Sequence, residues 1–235
     1  MNVITLDFET YYDTEHSLAH LSAVQYVHSP LFKVWGVGIK MNDEPTEWFG
    51  AEECADAIAQ IQWDEAAVVC HNTLFDAYIL TQYYKVYPKY YYDTAAMARG
   101  LAPNESSSLK NTCERMFPDD KTMRKGDELV NAKGIFDLPP DVEDQIAGYC
   151  IQDVDLTYAL YNVMQPNYPQ SELDLIDLTC RMYVEPKLFL NRTLLQAHKD
   201  DIATNTAQLI QDSGLTRAQL ASQKQFAEHL ESLNI

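Results

Sequence analysis

The run Val3-Ile4-Thr5-Leu6 is apolar and β-branched, the pattern of a strand buried in a core, yet it passes straight into Asp7 and Glu9. In a strand of period two, Asp7 and Glu9 project from one face while Phe8 points to the other. Two carboxylates held side by side at the end of a buried strand repel each other and are costly to desolvate. The arrangement calls for something positive between the acids, most simply a metal ion; a partly solvated pair near a turn is the simple alternative.

A chain of 235 residues with 46% hydrophobic and 11% aromatic content can bury one good core, or one core and an appendage. Its formal net charge of −18 comes from 17 basic against 35 acidic residues, which argues against a protein that coats duplex nucleic acid through phosphate contacts. Screening over about 8 Å still lets a small site act independently of the average charge, and a phosphate can be gripped through bound cations. The cysteines Cys54, Cys70, Cys113, Cys150 and Cys180 are odd in number and lack CxxC spacing, so neither a disulfide framework nor a zinc site is expected. The first apolar run is broken by acids and follows no basic segment, unlike a signal peptide, and no stretch is long enough to span a bilayer. These features predict a cytoplasmic protein with reduced thiols, host-cell cytoplasmic if phage-encoded, and no membrane partner.

Strands are expected at Lys33–Lys40, Thr46–Phe49, Ala66–Cys70 and Lys89–Tyr92 in addition to the first, with a polar stretch up to about His28. Helices are expected over Ala51–Gln60, from Asn72 or Thr73 onward, and from Asp93, a good N-cap, through Leu101. A loop-rich stretch over 106–137 contains a possible helix at Leu109–Met116, and Pro139-Pro140 opens a long helical segment. Strand signals stop near Pro166, and the remainder reads as helices with one extended link at Lys187–Leu190. The order implies an α/β layered sheet, with a domain over 1–165 and a helical extension over 166–235.

Three stretches carry the chemistry. Asp7 and Glu9 come from the first strand, Asp76 from the first turn of a helix that follows a buried strand, and Tyr149 with Asp153 from one face of a late helix. Each is ordinary alone: an acid in a first helical turn is favoured by the helix dipole. Together, four carboxylates and a tyrosine match what a two-metal phosphodiester site requires, and four negative charges neutralise two dications. Oxygen ligands of this kind select Mg2+ or Mn2+ over zinc.

In order and spacing, "LDFET", "NTLFD" and "YCIQD" resemble the three motifs of the DEDDy branch of the DnaQ-like 3′→5′ exonucleases, most closely the proofreading domain of bacteriophage family A DNA polymerases. None of the six histidines replaces Tyr149, which assigns the branch. The resemblance implies a ribonuclease-H-like fold, a mixed sheet flanked by helices. It also implies two divalent ions, Mg2+ or Mn2+, and the 3′ end of single-stranded or frayed DNA as substrate. Asp7 then resembles the ligand shared by both ions, Glu9 and Asp153 the ligands of the ion that binds the attacking water, and Asp76 a ligand or outer-sphere partner of the second. The Tyr149 phenol, a poor base at neutral pH, resembles the group that orients the water.

Phe8, Thr10, Asn72 and Leu74 neighbour the acids and are the candidate substrate contacts, although Phe8 as core and Asn72 as a helix cap are simple alternatives. The basic cluster Lys121, Arg124 and Lys125 could touch phosphates but reads rather as a solvated loop, Tyr90-Tyr91-Tyr92 could stack bases but reads mostly as core, and Asp64, Asp93 and Asp155 read as turn, cap and surface acids. The chain lacks the motifs of a polymerase core, so 166–235 resembles the connector towards a polymerase domain absent from it, and such a connector is expected to expose an apolar stripe. Alternative readings are a DEDDy ribonuclease similar to ribonuclease D and a non-catalytic module that binds single strands or a partner.

Overall fold

A computed structural model describes residues 1–125 and 132–235, and the part of the loop-rich stretch over 126–131 lies outside the described residues. Packing divides the chain into two compact units, Met1–Pro186 and Lys187–Ile235. In the first, the chain runs through β1 (Asn2–Thr10), α1 (Ala23–Val27), β2 (Val34–Met41), β3 (Glu47–Gly50), α2 (Cys54–Ala59), β4 (Ala66–Cys70), α3 (Thr73–Tyr78), β5 (Tyr90–Asp93), α4 (Thr94–Leu101), α5 (Leu109–Met116), α6 (Pro140–Met164) and α7 (Gln170–Val184). The strands form one mixed sheet of order β3-β2-β1-β4-β5, antiparallel across β1, β2 and β3 and parallel across β1, β4 and β5. This mixed sheet flanked by helices is the ribonuclease-H-like architecture that the sequence implies.

Both faces of the sheet are covered, which is why β4 is apolar along its whole length and buried at every position. On one face Ile4, Leu6 and Phe8 of β1 join Val37, Ile39, Val68 and Tyr91 beneath side chains of α1, α2, α3 and α7. On the other, Ala67, Val69 and Tyr92 pack against α4, α5, α6 and Leu173 of α7. The period-two alternation of β1 therefore places Val3, Asp7 and Glu9 on the face that α6 crosses, and Phe8 on the face opposite.

Two differences from the sequence reading stand out. A short helix, α1, closed by a capping box between Ser22 and Gln25, occupies the stretch expected to be irregular up to His28. The compact unit also continues past residue 165: Leu173, Cys180 and Val184 of α7 are buried in the two main cores, so this helix packs as part of the sheet domain. The second unit consists of α8 (Arg192–Ser213), α9 (Arg217–Ala221) and α10 (Gln223–Ser232), with Leu188, Phe189 and Leu190 exposed in the extended link before them.

Candidate active site

Each acid reaches the end of β1 for an identifiable reason. β1 pairs with β4 only from Asn2 to Thr5, after which β4 ends at Cys70 and the chain turns into α3. Past that point the strand has no ladder partner on its β4 side, and the Phe8 amide donates to Asp76 Oδ1 at 3.0 Å instead. That bond ties the first turn of α3 to β1 beside Asp7. The turn itself is fixed by Asn72, which adopts the left-handed conformation that Asn tolerates (φ 76°), and by the buried Asp93, whose Oδ1 accepts from Asn72 N at 3.0 Å as well as from Ala95 N and Ala96 N. Asp93 is thus the N-cap the sequence suggests, and a clamp on the neighbouring loop besides.

Close approach of α6 completes the group. Gly38 of β2 lies opposite Asp7 in the strand register, and a Cβ there would sit 2.9 Å from Cys150 Sγ and 3.1 Å from Val154 Cγ2 of α6. The missing side chain lets the helix lie against the sheet, so that Cys150 and Asp153 of α6 arrive beside Asp7. Cys150 Sγ donates to the Asp7 carbonyl at 3.2 Å and lies 3.9 Å from Asp7 Oδ2.

The electrostatics express the crowding. Burial, then the proximity of Asp153, raises the Asp7 carboxyl to about 7. Burial and the charges of Asp7 and Asp153 push Glu9 well above the carboxylate range, and burial and Asp7 do the same to Asp76. Lys125 forms an ion pair with Asp153 Oδ2; burial disfavours its charge, but Asp153, Asp7 and Glu9 together hold its ammonium above the ordinary lysine range. The other oxygen, Asp153 Oδ1, is buried with no hydrogen-bond partner. A cluster of oxygen donors, short of positive charge and with one orphaned oxygen, fits divalent cations. Among the described residues, the one group of three or more metal-ligating side chains within reach of a common ion is Asp7, Glu9 and Cys150, whose donor atoms lie within 4.8 Å of one another.

The four acids therefore lie close together around the end of β1, and Tyr149 is half-buried on α6 beside Cys150. Two of the four candidate substrate contacts do not open onto it. Phe8 is 4% exposed, in the core and stacked on Tyr84, and Thr10 is buried with its hydroxyl bonded to Tyr26 Oη at 2.8 Å, because both belong to the opposite face of β1. Leu74 is half-buried against the core, whereas Asn72 is exposed and its side chain makes no capping bond. Tyr91 and Tyr92 are core, as expected, and Asp155 accepts from Lys40 and Thr46 away from the site. Lys125, singled out in the sequence as a possible phosphate contact but read as part of a solvated loop, instead pairs with Asp153. Sequence reasoning passed over Gly38, whose position inside the apolar strand "VWGVGIK" is itself a signal of close backbone approach.

The fold brings carboxylates of β1, α3 and α6 together at the end of the central strand, the arrangement that metal-assisted hydrolysis of phosphodiesters requires. A family model described as 3′-5′ exonuclease matches residues 50–168, a little over half of the chain, and the chain belongs to that family. Asp7 and Glu9 lie before the matched segment and are joined to it by the fold. No curated protein matches. Among solved structures, ribonuclease D of Trypanosoma brucei superposes with a TM-score of 0.60 at 15% identity, over 81% of this chain and 68% of that one. NrnC of Brucella melitensis bound to pGG gives 0.52 at 13%, over 78% and 83%. The family B DNA polymerase of the archaeon Pyrobaculum calidifontis gives 0.51 at 17%, over 71% of this chain, which spans only 25% of that polymerase. At these identities the likeness is one of fold. Among the described residues, no helix is long and apolar enough to cross a membrane.

Proposed function

We propose that this chain is a two-metal 3′→5′ exonuclease acting on the 3′ end of single-stranded or frayed DNA, as the proofreading half of a phage family A polymerase system. The observation that carries the reading is the convergence of Asp7, Glu9, Asp76 and Asp153, with the buried Asp153 Oδ1 left without a partner. Asp7 would be shared between the two ions, Glu9 and Asp153 would complete the donor set on the water side, and Asp76, aimed by its bond from Phe8 N, would serve the other ion. Bound there, the two dications supply a water of lowered pKa and neutralise charge on the leaving oxygen. Tyr149, half-buried one turn from Asp153, orients the attacking water rather than deprotonating it. Lys125 serves as counter-ion to Asp153, and Asn72, exposed at the head of α3, is the substrate contact that remains open to a nucleotide.

DNA is favoured by the motif resemblance, and ribonuclease D among the similar folds makes RNA the reading to test against it. The discriminating experiment compares hydrolysis of matched DNA and RNA single strands, and of a duplex with a paired or mispaired 3′ terminus, in Mn2+. Faster removal of DNA and of the mispaired end is expected. Preference for RNA overturns the proofreading assignment in favour of a ribonuclease, since the chemistry is shared and only contacts near the 2′-hydroxyl differ.

A further inference from the structure

Cys150 is the one donor in the acid cluster that a hard-metal nuclease does not need. Its sulfur lies 3.9 Å from Asp7 Oδ2, and Asp7, Glu9 and Cys150 offer three donor atoms mutually within 4.8 Å. A sulfur and an oxygen bound to one zinc ion, with bonds of roughly 2.3 and 2.0 Å, lie about 3.5 Å apart when tetrahedral and at most about 4.3 Å apart. The observed separation falls inside that range without movement of the backbone. The thiol is also held in place: its helix is locked against Gly38, and its hydrogen bond to the Asp7 carbonyl orients Sγ towards the carboxylates.

We propose that this site binds a soft divalent cation, Zn2+ or Cd2+, through Cys150 sulfur together with Asp7 and Glu9, in competition with the hard ions of the nuclease. The inference rests on the reading of these acids as metal ligands. Binding forms one metal–sulfur bond, and the thiol proton leaves to bulk water. Thiolate selects soft over hard ions, whereas carboxylates alone favour Mg2+ and Mn2+, so one residue gives the site two metal preferences. Because Asp7 and Glu9 are common to both sets, a soft ion and a hard ion exclude each other there. The other cysteines belong to no such donor group among the described residues.

The test uses the full chain stripped of metal and titrated with Cd2+. The expected result is an ultraviolet thiolate-to-cadmium charge-transfer band that saturates at one sulfur ligand per chain and is reversed by excess Mn2+. Cys150→Ser is expected to lose the band and roughly tenfold or more of the Cd2+ affinity. Cadmium NMR on the wild-type chain needs no variant: a shift typical of one sulfur among oxygen ligands supports the proposal, and an all-oxygen shift overturns it. A band that survives in Cys150→Ser, or no band in the wild type, also overturns it. Hydrolysis of a DNA strand in Mn2+ is followed alongside. A cadmium band without nuclease activity leaves the metal site standing and refutes the function, whereas activity without the band refutes the soft-metal site alone.

Discussion

Asp7 behaves differently from an ordinary surface aspartate because it is placed where its charge is unwelcome until a cation arrives. Its carboxyl, raised to about 7 by burial and by Asp153, is thus still largely protonated at mildly acidic pH in the metal-free protein. Replacing it removes both the repulsion and a ligand. Asp7→Asn is expected to raise the melting temperature of the metal-free protein, to abolish the further rise on adding Mn2+ and to end hydrolysis. A variant that still gains thermal stability from Mn2+ as the wild type does contradicts the assigned role. Asp153→Ala is likewise expected to be inactive yet folded, while Tyr149→Phe retains a measurable rate, because positioning of a water is lost and not the water itself. Lys125→Met removes the cation already paired with Asp153. It should lower metal-free stability yet tighten Mn2+ binding, since a competitor for the acid is gone, and calorimetric titration reads the change in affinity directly.

At the scale of elements, the site depends on two close approaches. Gly38→Ala places a methyl group within 2.9 Å of Cys150 Sγ, so α6 must shift away from β2. A loss of about 1–3 kcal/mol in urea unfolding is expected, together with reduced activity. Unchanged stability contradicts the packing argument. Much of this layer was legible in the sequence: Ala66–Cys70 was readable as a buried strand because it is apolar throughout, Asp93 as a cap, and the same-face placement of Asp7 and Glu9 from strand period alone. The rest lacked a local signature. α1 has five residues, of which only Tyr26 and Val27 are buried, too few for periodicity to appear. The pairing of Lys125 with Asp153 joins side chains 28 positions apart, and no pattern within either segment encodes it. Phe8 and Thr10 adjoin the acids in sequence but lie across the sheet from them, so proximity along the chain misled where alternation gave the right answer.

For the whole molecule, the raised carboxyls determine how stability depends on pH. In the native metal-free state Asp7 keeps its proton to about 7, and Glu9 and Asp76 are raised well above their ordinary range, while the unfolded chain releases these protons near pH 4. Between those limits the native state binds more protons than the unfolded one, so stability falls as pH rises from about 4 to beyond 7. Divalent ions bind the deprotonated cluster and reverse the trend. Thermal denaturation at pH 5.5 and 8, with EDTA and with Mn2+, is expected to show the larger Mn2+ effect at the higher pH. An equal effect at both contradicts the placement of the acids. The compact unit closes at Pro186 with α7 inside it. Truncation after Pro186 is therefore expected to leave a cooperatively folding domain, whereas truncation after residue 165 strips Leu173, Cys180 and Val184 from the cores and prevents it.

The convergence of four acids for hydrolysis at a 3′ end is tested most directly by a time course on a 5′-labelled DNA single strand, with wild type and Asp7→Ala in Mn2+ and wild type in EDTA. The account predicts a ladder shortening one nucleotide at a time from the 3′ end in the first reaction and an intact strand in the other two. Release of the 5′ label as a mononucleotide at the outset, or degradation by Asp7→Ala at the wild-type rate, would contradict it.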